Sequence, residues 1–244
     1  MEEIEYKTMF VLENEHWWFL GKRLFASSFL SSINFSDTKS SILDLGCGTG
    51  GMTKFLERYG KVLGVESNQT SIAFCKKNDV QVIESSVEKI PIQKDKFDLI
   101  TIFDVLYHKD VEEALVLKEV RRLLKKDAYL LLSDCALPFF WSAHDEQMMA
   151  KKRFTKREIE QLLEKNNFSI VKSSYIYFFT FPFFVLQRLF LKFSKRESKS
   201  VVSKLPNVIN KFLLFLIKIE AFLLKYIKTW PIGSSIMVLA RKND

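Results

Sequence analysis

Ser41-Ile-Leu-Asp-Leu-Gly-Cys-Gly-Thr-Gly-Gly-Met52 decides how this chain of 244 residues folds. Its first five residues are apolar around Asp44 and begin near a β-branched isoleucine, the pattern of a buried strand. Glycines follow at positions 46, 48, 50 and 51, and then Met52, Phe55 and Leu56 recur at helical spacing. Strand, glycine turn and helix make the first unit of a nucleotide-binding sheet. Glycine lets backbone approach a ligand where a Cβ would stand in the way. A second apolar stretch, Val62-Leu-Gly-Val-Glu66, ends in a carboxylate 20 residues after Gly46. An acid at that distance accepts hydrogen bonds from both hydroxyls of an adenosine ribose.

The Gly46-x-Gly48-x-x-Gly51 spacing also fits NAD. Asp44 tilts the reading elsewhere. An acid at the mouth of the loop is poorly placed beside a pyrophosphate and well placed beside a cation. S-adenosylmethionine (SAM) offers a sulfonium and an ammonium, and no phosphate. On these residues the chain resembles the class I SAM-dependent methyltransferases of the type 11/23-like group, whose first motif reads much like Leu43-Asp-Leu-Gly-Cys-Gly-Thr-Gly50.

The resemblance covers residues 40–135 well and implies SAM as cofactor and S-adenosylhomocysteine as product. It would set Gly46, Cys47, Gly48 and Gly50 against the methionine part, with Asp44 near the ammonium. Glu66, with Ser67 beside it, would hold the ribose. Ser86 stands where the family often has an Asp for the adenine amine, so Ser86 and the Val87 amide would serve adenine. Asp104, just after the stretch Phe97–Phe103, would lie near the methionine moiety.

That position opens Asp104-Val-Leu-Tyr-His108, a loop at the carboxyl end of the sheet, where open α/β sheets place ligands. His108 is the candidate general base, because imidazole titrates near neutral pH. The plainer alternative has it packing under the loop. A second group, Trp141-Ser-Ala-His144-Asp145-Glu146, resembles a subgroup of these enzymes and implies contact of Trp141, His144 and Asp145 with the acceptor; a loop cap is the alternative. The histidines at 16, 108 and 144 lack ligand spacing, and no metal is expected.

Apolar runs and helical periods alternate along the chain. Strands are expected at Ser41–Leu45, Lys61–Glu66, Val80–Ile83, Phe97–Phe103 and Ala128–Ser133, then at 169–178 and 234–240. Helices are expected over 13–34, 50–59, 69–77 and 111–125. Another opens on the capping box Thr155-Lys-Arg-Glu158 and stops near Asn166. The implied fold is α/β: a Rossmann-like seven-stranded, mostly parallel sheet with helices on both faces, plus a helical insertion before the last strand. Residues 1–178 would form the SAM-binding domain with its N-terminal helix, 179–233 the insertion, and 234–244 the last strand.

The net charge of +8 sits in one place. Residues 188–228 carry ten Lys/Arg against Glu197 and Glu220, and the rest of the chain balances at 27 of each sign. A nucleic-acid enzyme would spread basic charge round its cleft, so no nucleic-acid partner is expected. The uncharged run Ser173–Gln187 is 15 residues, short of the ~20 that span a bilayer. Pro206 opens a helix to about Lys228 in which Lys211, Lys218 and Lys225 form one stripe. Phe212, Phe215, Leu216, Ile219, Phe222, Leu223 and Ile227 are read as the opposite side. Such a helix lies in an anionic membrane interface, or else packs on the sheet or a second copy. Glu220 falls on the apolar side and needs a partner, for which Arg188 or Lys192 is in reach.

Cys47, Cys75 and Cys135 show no disulfide or zinc spacing, and the first residues lack a signal-peptide core, so a cytoplasmic protein, peripheral on the inner membrane face, is expected. The acceptor implied is small and hydrophobic or lipid-linked. The rival readings are an NAD oxidoreductase, a non-catalytic SAM-binding or membrane-associated protein, and an RNA or protein methyltransferase. Against the last, Asp104-Val-Leu-Tyr107 replaces the Asn-Pro-Pro-Tyr type of tetrapeptide that takes flipped planar amines.

Overall fold

The computed structural model describes residues 3–33, 35, 40–186 and 204–243. Seven strands form one sheet in the order β3-β2-β1-β4-β5-β7-β6. They are β1 (Ser41–Leu45), β2 (Lys61–Glu66), β3 (Val82–Glu84), β4 (Phe97–Phe103), β5 (Leu124–Cys135), β6 (Phe168–Ile176) and β7 (Ser235–Lys242). β1 to β5 run parallel, and β7 runs antiparallel between β5 and β6.

Alternation along each strand separates two apolar layers. Leu43, Leu45, Ile100, Ile102, Leu130, Leu132 and Val238 face α5 (Glu113–Leu123) and α7 (Lys156–Lys165). Ile42, Leu99, Leu131, Met237 and Leu239 face the other way, onto α2 (Trp17–Leu30), α3 (Gly51–Leu56) and the long helix α8 (Asn207–Leu223). Strands buried on both faces need apolar residues at nearly every position, as these runs show. α1 (Glu3–Leu12) and α4 (Gln69–Lys77) meet near the glycine loop, where Phe10 stacks on Phe74 at 4.5 Å.

The expected bounds of β1, β2, β4 and α4 match those observed, and the Thr155–Glu158 capping box forms in full. The ends of β3, β6, β7, α3 and α5 shift by one to three residues from those expected, and three features differ more. β5 begins four residues before the expected Ala128. α1 was not expected, and the helix expected over 13–34 is α2, which starts at Trp17 on His16, whose Nδ1 accepts from the Trp18 amide. The helix opened by Pro206 ends at Leu223 rather than near Lys228.

α8 also presents its faces differently from the expectation. It packs on α2 through Leu213, Ile217, Glu220 and Ala221, with Leu224 just beyond its end. Gly21 allows the approach: a Cβ there would stand 2.9 Å from Ile217 Cδ1. Asn210 ties the helices together, accepting from the Trp17 amide at 2.8 Å and donating to the Glu15 carbonyl at 2.8 Å. Phe212, Phe215, Ile219 and Phe222 therefore lie on the exposed side, beside the exposed lysines 211, 218 and 225 rather than opposite them. The physical reason is helix geometry: at about 100° per residue Phe215 and Phe222 fall next to the lysine stripe, and the side opposite the lysines is 213-217-220-224, which α2 and the sheet bury.

Glu220 is fully buried, and its partners are the main-chain amides of Phe178 and Phe179, at 2.9 and 3.1 Å. These amides precede a helical stretch over 181–186, so the carboxylate serves donors a helix start leaves unpaired. Burial still pushes its pKa up to about 7. The expected partners Arg188 and Lys192 lie outside the described residues.

Candidate functional site

The glycine loop leaves β1 with Gly46 at φ +67°, where a Cβ would come within 2.5 Å of Val105 Cγ2. Only glycine satisfies both the left-handed backbone and the close approach of the β4 loop. Below the loop, Asp44 is buried and accepts from Thr53 Oγ1 at 2.7 Å and Thr101 Oγ1 at 2.6 Å. Burial pushes its pKa up to about 6 against the pull of those two bonds. Glu66, at the end of β2, accepts from the Gly48 amide at 2.9 Å with one oxygen. Its other oxygen accepts from the Ser67 and Asn68 amides at 2.8 and 2.9 Å.

Glu13, just after α1, accepts from Thr49 Oγ1 at 2.6 Å, the Gly51 amide at 3.1 Å and Asn78 Nδ2 at 2.8 Å. It thereby caps the first turn of α3 from 38 residues away. α1 is laid over the loop, and Met9 Sδ comes within 3.6 Å of where a Gly48 Cβ would be.

At the far side of the loop, Asp104 takes a positive φ of +56° and its amide donates to the Ser133 carbonyl at 2.8 Å. Its carboxylate pairs with Lys22 of α2, a buried ammonium that also lies 4.0 Å from the centre of the Trp18 ring. Asp134, at the end of β5, is fully buried, and its Oδ2 has no hydrogen-bond partner among the described residues. Burial, with Asp104 beside it, pushes the Asp134 pKa up to about 8. Among the described residues, Asp104, Asp134 and Cys135 bring ligand-type atoms within 4.8 Å of one another, and Lys22 is the cation in contact there.

One cavity of about 1210 Å³ joins these groups. That exceeds the ~300–1,000 Å³ of a single small-molecule pocket. Of the residues expected at the cofactor, Asp44, Gly46, Cys47, Gly48, Glu66, Ser67, Ser86, Val87 and Asp104 line it. Gly50 is not in its wall and serves instead as the N-cap of α3.

His108 lines the cavity, stacked on Tyr107 at 4.5 Å, and burial lowers its pKa. Asp145 lines it too, but both its oxygens are engaged, by Arg153 Nε at 2.7 Å and by the Ser142 amide at 2.9 Å. Trp141 departs from the expectation and stays outside the wall, because the turn that carries it is directed outward. His144 sits in α6 (Ala143–Gln147), and its side chain lies outside the described residues. Residues the sequence reading gave no place at the site line the rest: Tyr6, Met9 and Glu13 at one end, and Phe183, Phe184, Val208 and Phe212 at the other.

A model described as "Methyltransferase domain" matches residues 36–177. The chain belongs to that family. The match takes in β1 to β6 and with them the glycine loop, Glu66, Asp104 and His108. The cofactor is SAM, and the chemistry present fits it: the carboxylates of Asp44 and Glu66 line the cavity beside a glycine loop in which a Cβ at Gly46 would collide with Val105.

Among similar proteins, the demethylmenaquinone methyltransferase of Lactococcus lactis is 30% identical over 112 residues, which are 41% of this chain and 44% of that protein. The mitochondrial ubiquinone biosynthesis O-methyltransferase of Candida albicans is 26% identical over 110 residues, 40% of this chain and 33% of that one. The chain thus spans less than half the length of these curated relatives. The chain shares its fold with the geranyl diphosphate C-methyltransferase of Streptomyces coelicolor, crystallised with Mg2+, geranyl diphosphate and S-adenosylhomocysteine. The TM-score is 0.58, with 13% identity over 89% of this chain and 80% of that one. No helix among the described residues is long and apolar enough to cross a membrane.

Proposed function

We propose that the protein methylates a hydrophobic, lipid-linked acceptor that it meets at an anionic membrane face. One observation carries the reading. The cavity that begins at Asp44 and Glu66 ends at Val208 and Phe212, on a helix whose outer side is apolar and edged with lysine. The two quinone-pathway names and the geranyl diphosphate neighbour support an acceptor of that kind.

When bound, the cofactor supplies an electrophilic methyl group. Asp44 and the loop glycines would hold its amino-acid end, Glu66 and Ser67 its ribose, and Ser86 with the Val87 amide its adenine. His108 would take the proton of an acceptor hydroxyl. The burial that lowers its pKa keeps the imidazole neutral at neutral pH, the form able to accept. Alignment of acceptor and methyl group inside the cavity supplies most of the rest. The Lys22–Asp104 pair fixes α2 against the β4 loop, and α8 fixes α2 in turn.

Radiolabelled SAM incubated with the protein and with separate lipid and aqueous extracts of the source cells tests this. Label should move into the lipid fraction. Label found only in the aqueous fraction, in RNA or in protein would overturn the acceptor class.

A further inference from the structure

We infer that the turn over residues 138–141, together with the helical stretch over 181–186, is a second membrane-inserting lip of the acceptor cavity, separate from α8. This rests on the lipid-linked reading above and extends it to a surface outside the basic segment.

Leu137 takes φ +66° and turns the chain outward after β5, held there by its amide on the Phe154 carbonyl at 2.9 Å. A non-glycine residue in that region persists only where its surroundings enforce it. Pro138 then opens a single 3-10 turn. At its tip Phe139 is 92% exposed, the most exposed large apolar side chain among the described residues. Trp141 follows at 38%, its indole directed to Glu146 at 3.5 Å. A bare phenyl ring ahead of an indole with a polar edge matches the apolar-to-polar gradient of a bilayer interface.

The turn is joined to the cavity. Phe140 sets its ring edge-on to Phe181 and Phe184 at 5.5 and 5.6 Å, and Phe184 lines the cavity wall. Phe183 lines the same wall and is 49% exposed, and Leu186 beyond it is 63% exposed. Uncovered apolar residues therefore border the cavity from two elements, this lip and the stripe through Val208 and Phe212 on α8. A bilayer is the occupant that fits both, since lysines 211, 218 and 225 add positive charge suited to anionic headgroups. An acceptor with an apolar tail would then pass between lipid and cavity without its tail entering water.

The full chain with anionic vesicles, some carrying brominated acyl chains, tests the lip. Brominated lipid should quench tryptophan fluorescence, and Trp141→Phe should remove much of that quenching. Phe139→Asp should weaken vesicle binding by about tenfold or more, and the loss should persist at high salt. SAM titration should be unchanged in both variants, which checks the fold. Vesicle binding that survives Phe139→Asp, without quenching that depends on Trp141, overturns the lip and leaves α8 as the docking element. A wild-type dimer that Phe139→Asp turns into monomer also overturns it, because the occupant is then a second copy. If no vesicle binds while label from SAM still reaches the lipid fraction, the lip fails and the acceptor reading stands.

Discussion

The two ends of the cavity are built on opposite plans. At the glycine loop the carboxylates are already held within the chain: Asp44 by two threonine hydroxyls, Glu66 by three amides, Glu13 by a hydroxyl, an amide nitrogen and a side-chain amide. At the α8 end, phenyl rings and aliphatic side chains stand uncovered and make few polar bonds. A site for one fixed ligand gains from groups locked before binding, since little order is then lost on binding. A surface for lipid or for a flexible apolar tail needs area and tolerance rather than fixed geometry. The contrast predicts that substitutions at the first end act on cofactor affinity, and those at the second on where the protein sits.

The largest effect is expected at His108, which lines the same cavity and is the proposed base. His108→Ala should lower turnover on the labelled lipid fraction by roughly 10²–10⁴-fold, with SAM affinity near that of the wild type. The limb of the pH profile that reports the imidazole should vanish. A variant that keeps most activity would reduce His108 to a packing residue and move proton removal elsewhere in the cavity.

The basic edge of α8 comes next. Each lysine held at an anionic surface contributes about 1 kcal/mol, screened beyond a Debye length. Reversing Lys211, Lys218 and Lys225 to Glu should strip the protein from anionic vesicles, and raised salt should do the same to the wild type. SAM binding should not change. Co-sedimentation that ignores both treatments would place membrane attachment outside this helix.

Glu66→Ala and Asp44→Ala should each weaken SAM binding about ten- to a hundredfold, the cost of a charge-assisted hydrogen bond of ~1.5–3 kcal/mol. Glu66→Gln should lose less than Glu66→Ala, since it keeps acceptors for part of the amide set that shapes the loop. Affinity should also fall below about pH 6, where burial leaves Asp44 protonated. Titration curves unchanged in both alanine variants would remove the cofactor from this end of the cavity.

The same division marks what the sequence made legible. β1, the glycine loop and β2 are local patterns, in which strand, turn and acid follow one another within about 25 residues, and their bounds could be read directly. Ser86, Asp104 and His108 could be carried over because they too sit on such patterns. Glu13 could not, since its bond to Gly51 crosses 38 residues and nothing around it repeats. Lys22 reads as an ordinary helix cation until the fold brings it to Asp104, 82 residues away. On α8 the sequence reading placed one apolar side, with Phe212, Phe215, Ile219 and Phe222, opposite the lysines, whereas the core takes Leu213, Ile217, Glu220 and Leu224. That choice depended on Gly21 and Asn210, residues with no apolar signal of their own. The need of Glu220 for a partner was visible, yet main-chain amides leave no mark in a sequence.

The last effect expected is on stability alone, and it leaves both cofactor and membrane binding unchanged. Asp134 has an ordinary carboxyl pKa near 3.8 when the chain is unfolded and about 8 when folded, because it is fully buried next to Asp104. In that window the folded chain keeps a proton that the unfolded chain releases. Stability is therefore full at the acid end and is lost as pH rises towards 8, by at most ~1.4 kcal/mol per pH unit. Asp44 and Glu220, raised to about 6 and about 7, act with the same sign over narrower windows. Asp134→Asn resembles the protonated acid and still offers an oxygen to the Cys135 amide, which Asp134 Oδ1 accepts at 2.8 Å. The variant's melting temperature should match the wild type's below about pH 4 and rise progressively above it as pH increases to 8, with no change in vesicle binding. Melting curves that stay parallel across that range would mean Asp134 is already ionised in the fold. The charge next to Lys22 and Asp104 would then be one unit more negative than the structure implies.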